Sequence, residues 1–168
     1  MNITEDLMNE HQVILGVIAK TLDECDNIES GKELNKDFFL KVVDFIRNYA
    51  DKFHHAKEED ILFASMLENM ANMHCNPIPV MLHEHEEGRD YLKGMVDGLE
   101  NSDTKKTVFC ARGYCVLLQQ HIYKEDNVLY PMAEQAISDT QKAQVNEQYK
   151  QVEERLNKEL DIEQLINI

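Results

Sequence analysis

Histidine followed four residues later by glutamate occurs twice in matching surroundings, as His55-Ala56-Lys57-Glu58-Glu59-Asp60 and His121-Ile122-Tyr123-Lys124-Glu125-Asp126. Residues four apart lie one above the other on an α-helix, so each copy presents an imidazole nitrogen and a carboxylate to one point in space. Imidazole and carboxylate together are transition-metal donors, and two such pairs that converge would hold metal between them.

The spacing alone is weak, because a chain with 7 His and 32 Asp plus Glu produces it by chance. It recurs at His54/Glu58 and at His83/Glu87. Phase with the apolar residues separates the four. His121 and Glu125 continue the stripe Cys110, Tyr114, Leu117, Leu118, Val128, Leu129, Met132, and His55 and Glu59 are in phase with Leu62 and Phe63. His54/Glu58 leads to Ile61 and Ser65, a less apolar face, so that pair and His83/Glu87 are expected on solvated faces. Two more histidines fall inside apolar stripes, His11 between Leu7 and Ile14, and His85 among Met81, Leu82 and Leu92. Each follows a glutamate, Glu10 or Glu84. A single inward histidine is ordinarily a hydrogen-bonded core residue. Six ionisable groups at one level of a core need compensation, since unpaired buried charge costs several kcal/mol or more.

The elements that position these residues read as helices. Six Gly and 3 Pro leave few breakers in 168 residues, a length suited to one domain. Thr4 is placed to cap a first helix, with Ile3 and Met8 as its staple, and that helix should end near Asp26 to Gly31. Asn35 opens a second, expected to reach about Met70. Asn76-Pro77-Ile78-Pro79 leads into a third, about Val80 to Leu99. Ser102 or Asp103 caps a fourth, which Pro131 should bend or end. Ser138-Asp139-Thr140-Gln141 has the form of a capping box for a last helix with Val145, Tyr149, Val152, Leu156 and Leu160 apolar. The expectation is an all-α fold, an up-down-up-down four-helix bundle over about 4–135 with an additional C-terminal helix over about 138–160, all in one domain.

A net charge of −15 argues against nucleic acid and anionic membranes as partners. No segment has the length of a membrane span and the N-terminus has no leader pattern, so the cytoplasm is the expected location. Cys25, Cys75, Cys110 and Cys115 form no C-x-x-C pair and are expected as reduced, mostly buried thiols. His74 beside Cys75 has no partner at ligand spacing and reads as a loop residue.

Helical bundles build metal sites from facing side chains in their cores. His11, His55, Glu59, His85, His121 and Glu125 are too many donors for one zinc ion and suit two five- or six-coordinate ions. The zinc motif His-Glu-x-x-His is absent, since His83-Glu84-His85-Glu86-Glu87 lacks the second His. No His has Glu three residues before it, as the Glu-x-x-His of ferritin-like carboxylate sites requires. A histidine-rich dinuclear iron site is the reading left.

With His11, then His55/Glu59, then His85, then His121/Glu125, the chain resembles the haemerythrin-like, HHE cation-binding family. His54-His55-Ala56-Lys57-Glu58-Glu59-Asp60-Ile61-Leu62-Phe63 and Met81-Leu82-His83-Glu84-His85-Glu86-Glu87-Gly88-Arg89 carry the likeness, which spans about residues 5–135. The resemblance implies a non-haem di-iron centre with an oxo or hydroxo bridge, in which two glutamates bridge the irons. One departure stands out. Oxygen-carrying haemerythrins have a fifth histidine one turn before the third-helix ligand, where this chain has Met81. They also take their last carboxylate five residues after the fourth-helix histidine, at Asp126 here, although phase favours Glu125.

Neutral imidazoles with only two carboxylates favour the ferrous state, and an open position would admit dioxygen or another small diatomic or peroxide ligand. The expected function is dioxygen binding for sensing, storage or scavenging. The alternatives are an oxidoreductase that reduces peroxide or nitric oxide with an external electron donor, and an iron-handling or interaction module. Tyr49 and Tyr114 lie where a relay would need them but fit the core as aromatics.

Overall fold

Caps and prolines mark the helix starts in a computed structural model that describes residues 2–159, 161–166 and 168. Helix α1 (Glu5–Glu29) has Thr4 as N-cap, without the expected side-chain cap bond. The Thr4 hydroxyl faces Asn2 and Glu134 instead. Of the expected staple, Ile3 is buried but Met8 is exposed. Asn35 accepts a bond from the Phe38 N–H at 3.1 Å and opens α2 (Lys36–Phe45). The helical path continues through π-helical segments π1 (Ile46–His55) and π2 (Glu58–Leu62) into α3 (Phe63–Glu68).

After a 3₁₀ turn at Met70–Asn72, α4 (Ile78–Glu100) starts with a proline in its first turn. Asp103, rather than Ser102, caps α5 (Thr104–Lys124), accepting from the Lys106 N–H at 3.0 Å. Pro131 does not end the path. A third π-helical segment, π3 (Glu125–Leu129), precedes it, and α6 (Tyr130–Ala136) carries on with the proline in its first turn. The wider π turn suits the missing N–H, because the α-type bond is already displaced there. Ser138 and Gln141 form the expected capping box, with Ser138 Oγ 2.8 Å from Gln141 Oε1. Helix α7 (Asp139–Glu159) follows, then α8 (Ile162–Leu165). Leu160 lies outside the described residues.

The fold is all-helical, without a strand among the described residues. Helices α4 and α5 pack most extensively, and glycine permits the close approach. A Cβ on Gly98 would fall 2.8 Å from the Thr107 backbone nitrogen, and one on Gly113 would meet the Tyr91 ring.

Buried side chains form two apolar clusters. One holds Ile14, Phe39, Phe45, Met95, Ala111 and Leu118, and the other Leu7, Leu62, Met66, Met81, Leu129 and Met132. Along the long helical paths the buried histidines fall between the two: His11 between Leu7 and Ile14, His54 and His55 between Phe53 and Ile61, His85 between Met81 and Leu92. Helix α7 lays Val145 and Tyr149 on one cluster and Leu156 on the other. The cysteines are unpaired, with Cys25, Cys110 and Cys115 buried and Cys75 exposed. No helix among the described residues is long and apolar enough to cross a membrane.

Candidate metal centre

Two groups of donors meet in the polar layer. His55, Glu58, His85 and His121 form one; His11, His54, Glu58 and Glu125 form the other; within each, one atom per residue lies within 4.8 Å of all the rest. All seven residues are buried. Glu58 belongs to both groups, its Oε2 lying 3.6 Å from His54 Nε2 and 3.6 Å from His85 Nε2. Glu125 spans them as well: its Oε2 is 3.3 Å from His11 Nε2 and its Oε1 3.0 Å from His121 Nε2.

Carboxylates orient the rings from outside. The Nδ1 atoms of His11, His54, His85 and His121 face Asp126 at 2.7 Å, Glu10 at 2.8 Å, Glu59 at 2.7 Å and Glu84 at 2.8 Å. His55 Nδ1 lies 3.5 Å from Asp51. A carboxylate that accepts from Nδ1–H fixes the tautomer that leaves the Nε2 lone pair free for a metal. Cations hold three of the hydrogen-bonding carboxylates and Asp51 in turn. Arg89 donates to Asp51 and Glu59, both at 2.7 Å from Nη2; Lys124 pairs with Glu84 and Lys57 with Glu10.

Burial shapes the protonation of the metal-free rings. It holds His54 and His55 well below the usual imidazole range and therefore neutral. Burial also acts to lower His11, but the hydrogen bond to Asp126 and the nearby Glu125 charge outweigh it and carry His11 up to about 9. Burial, reinforced by the nearby Glu125 charge, raises Glu58 well above the carboxylate range.

The residues fit a cation. Among the atoms that face the middle of the layer, His54 Nε2, Glu58 Oε2 and both carboxylate oxygens of Glu125 are buried without a hydrogen-bond partner. Each such group costs about 1–3 kcal/mol or more when left unsatisfied. His85 Nε2 and His121 Nε2 stand 3.0 Å apart. Two nitrogens about 2.1 Å from one metal and at right angles around it would be about 3.0 Å apart. Compensation by a shared cation explains both observations.

Of the residues selected from sequence, the structure brings together His11, His55, His85, His121 and Glu125. Glu59 is not among them. Its side chain is 25% exposed and it grips His85 Nδ1 and Arg89 from outside, which holds its carboxyl down at about 2 against the effect of burial. The expectation that His54 and Glu58 lie on a solvated face is overturned, since both are almost fully buried. The physical reason is the π-helical geometry of π1 and π2, which departs from α-helical phase and turns adjacent His54 and His55 inward together, with Glu58 beneath them. Glu125 opens π3, so all three π segments carry donors of the centre. His83, Glu87 and His74 are exposed, as expected. Met81 is buried in the apolar cluster, and Tyr49 and Tyr114 are core aromatics in the other.

Tyr130 was not singled out by sequence reasoning. Its hydroxyl donates to Glu58 Oε1 at 2.7 Å and lies 3.3 Å from His11 Nε2, and its ring stacks on the His11 ring. Five residues after Glu125, it is out of α-helical phase with that residue, and π3 brings the two to one interior.

An all-helical protein with buried clusters of histidine and glutamate is a metal-binding protein of the histidine–carboxylate class. The chain belongs to the Hemerythrin family: a model of the Hemerythrin HHE cation binding domain matches residues 2–133. Among curated proteins, it is similar to the "Iron-sulfur cluster repair protein YtfE" of Musicola paradisiaca, 33% identical over 88 residues, which is 48% of this chain and 40% of that protein. The proteins of the same name from Dickeya chrysanthemi and Escherichia coli are 32% identical over 88 and 89 residues, with the same coverage. The chain thus spans about 40% of the length of the curated relatives it matches. No solved structure gave a significant match.

Proposed function

We propose that the chain is a non-haem di-iron protein that binds dioxygen, for sensing, storage or scavenging, at the centre shared by Glu58 and Glu125. The observation that carries this reading is the unequal division of imidazoles about two shared carboxylates: His55, His85 and His121 on one side, His11 and His54 on the other. The two-histidine side has fewer protein donors, and an open position for a small ligand belongs there. Met81 then leaves no deficit, because the adjacent pair His54 and His55 supplies the fifth imidazole from another helix.

An up-down-up-down arrangement of the four long helical paths accompanies this proposal. Its support is the order of the apolar clusters, which reverses from α1 to α2–α3, again in α4 and again in α5–α6. Two ferrous ions would supply the electrons and the coordination position that dioxygen requires. The residues would do the rest. Glu58 and Glu125 would hold the two ions at a fixed separation, and the apolar clusters on either side would exclude water. The Tyr130 hydroxyl, which donates its proton to Glu58 Oε1, would fix that carboxylate on the two-histidine side. A cytoplasmic location fits a ferrous centre of this kind.

Metal analysis tests the reading, together with absorption spectra of the reduced protein before and after exposure to air. Two irons per chain and a new charge-transfer band in air are expected; fewer than two irons, or an unchanged spectrum, would overturn it. A second reading, iron handling, is favoured by the name of the relatives, iron–sulfur cluster repair proteins. Rapid loss of iron to a ferrous chelator, without a spectral response to air, would support that reading instead.

A further inference from the structure

Lys57 is a fully buried lysine with no place in the proposed ligand set. Its ammonium pairs with Glu10 and with Glu153 at 3.1 Å, and it lies 4.2 Å above the Phe53 ring. Burying an ammonium is unfavourable by several kcal/mol unless charge and hydrogen bonds are returned to it, and this site returns both. Glu10 is the pivot. One of its oxygens meets Lys57, while the other lies 2.8 Å from His54 Nδ1.

A continuous path of ionic contacts therefore runs Glu153, Lys57, Glu10, His54. Glu153 sits on α7, beyond residues 2–133 that match the family. The other carboxylates that face the rings, Asp51, Glu59, Glu84 and Asp126, lie within those residues. Among the described residues, an ionic path to the C-terminal helix runs from the two-histidine side alone.

We infer that Glu153 and Lys57 are positioning residues for His54, so that α7 sets how firmly the metal in the two-histidine half is retained. This rests on the two-metal reading above. With Lys57 in place, Glu10 is held at His54 Nδ1 and the His54 Nε2 lone pair is aimed at Glu58 and His11. Without the α7 carboxylate, Lys57 has a single anionic partner and is free to draw Glu10 away from the ring. The half built from His55, His85 and His121 has its own cations, Arg89 and Lys124, and its outer carboxylates have no ionic contact with α7 among the described residues.

The test uses the full chain reconstituted with ferrous iron without air, followed by extraction with excess bipyridine. Wild-type protein is expected to release one iron faster than the other. Glu153→Gln, two contacts removed from the carboxylate on His54, should speed the faster phase roughly threefold, below the tenfold or more of a direct partner of a metal ligand, and leave the slower phase unchanged. Lys57→Met should speed the same phase further. Glu154→Gln, an exposed charge on the same helix, should match wild type in both phases. Melting of the metal-free proteins separates positioning from support, because a merely structural role would lower the melting temperature and move both phases or neither. If Lys57→Met fails to fold, Glu153→Gln decides alone. Two irons in wild type with Glu153→Gln indistinguishable from Glu154→Gln would overturn this inference and spare the two-metal reading. Fewer than two irons in wild type would overturn both.

Discussion

The two halves of the centre share Glu58 and Glu125 yet are held from outside in different ways. Around His55, His85 and His121, the carboxylates Asp51, Glu59 and Glu84 are gripped by Arg89 and Lys124, cations with side chains 27% and 38% exposed. Around His54, Glu10 is gripped by Lys57, which is wholly buried and reaches α7. His11 is held by Asp126, on the same π segment as Glu125. More imidazoles and a rim of arginine and lysine suit retention. Fewer imidazoles, a tyrosine hydroxyl and a link to a separate helix suit a position where ligands or metal come and go.

The largest effect is expected where the halves join. On the proposed two-iron reading, Glu58→Gln removes the shared anionic donor and should reduce bound iron from two to less than one per chain by metal analysis. The metal-free protein should melt no lower than wild type, because burial and Glu125 already disfavour the Glu58 charge and the amide oxygen still accepts from Tyr130. Retention of both irons would show that the halves do not depend on Glu58.

Next come the adjacent histidines, which tell the halves apart. His54→Ala leaves one side with His11 as its single imidazole and should yield one iron per chain. His55→Ala leaves the other side with His85 and His121, as many as the two-histidine half has, and should keep both irons with weaker binding. The reverse outcome would exchange the assignments of the two residues.

A smaller change separates a donor from its outer partner. Glu59→Gln should keep both irons and weaken binding of one by about 10- to 100-fold in competition with a chelator, as expected when a ring loses its orienting carboxylate. Loss of an iron outright would make Glu59 a ligand, as α-helical phase alone suggests.

That last contrast marks the limit of what the sequence could reveal. Helix starts were legible at Asn35, Asp103 and Ser138 because a cap needs only one side chain at one position. His11, His85, His121 and Glu125 were legible because α1, α4 and α5 keep α-helical phase up to those residues. Phase failed at residues 54–59, where π turns let neighbours that an α-helix separates by about 100° share one interior. Nothing local in Ile46-Arg47-Asn48-Tyr49 announces a π segment; packing of the buried donors around a common centre favours it. Tyr130 was hidden for the same reason, on the far side of π3.

The smallest effect, and the one that reads protonation directly, is the pH dependence of the metal-free protein. His54 and His55 have folded values pushed below the unfolded value near about 6.5, chiefly by burial. The unfolded chain then takes up protons that the folded one refuses, so their contribution is present above about pH 6.5 and is lost as pH falls below it. His11 has the opposite sign. Despite burial, Asp126 and Glu125 raise it to about 9, so its contribution is full below about pH 6.5 and is lost as pH rises from there to about 9. His121 shifts in the same direction as His11. Each half thus pairs one ring of each sign, His54 with His11 and His55 with His121. The metal-free melting temperature should therefore peak near pH 6.5 and fall on both sides. Asp126→Asn should flatten the alkaline limb by removing an anion that holds the His11 proton, and leave the acid limb in place. Metal replaces that proton, so the loaded protein should lose the alkaline limb altogether. A metal-free stability that climbs steadily from pH 6 to 9 would show that His11 is not held by its carboxylates, and with it the outer support of the two-histidine half would need another source.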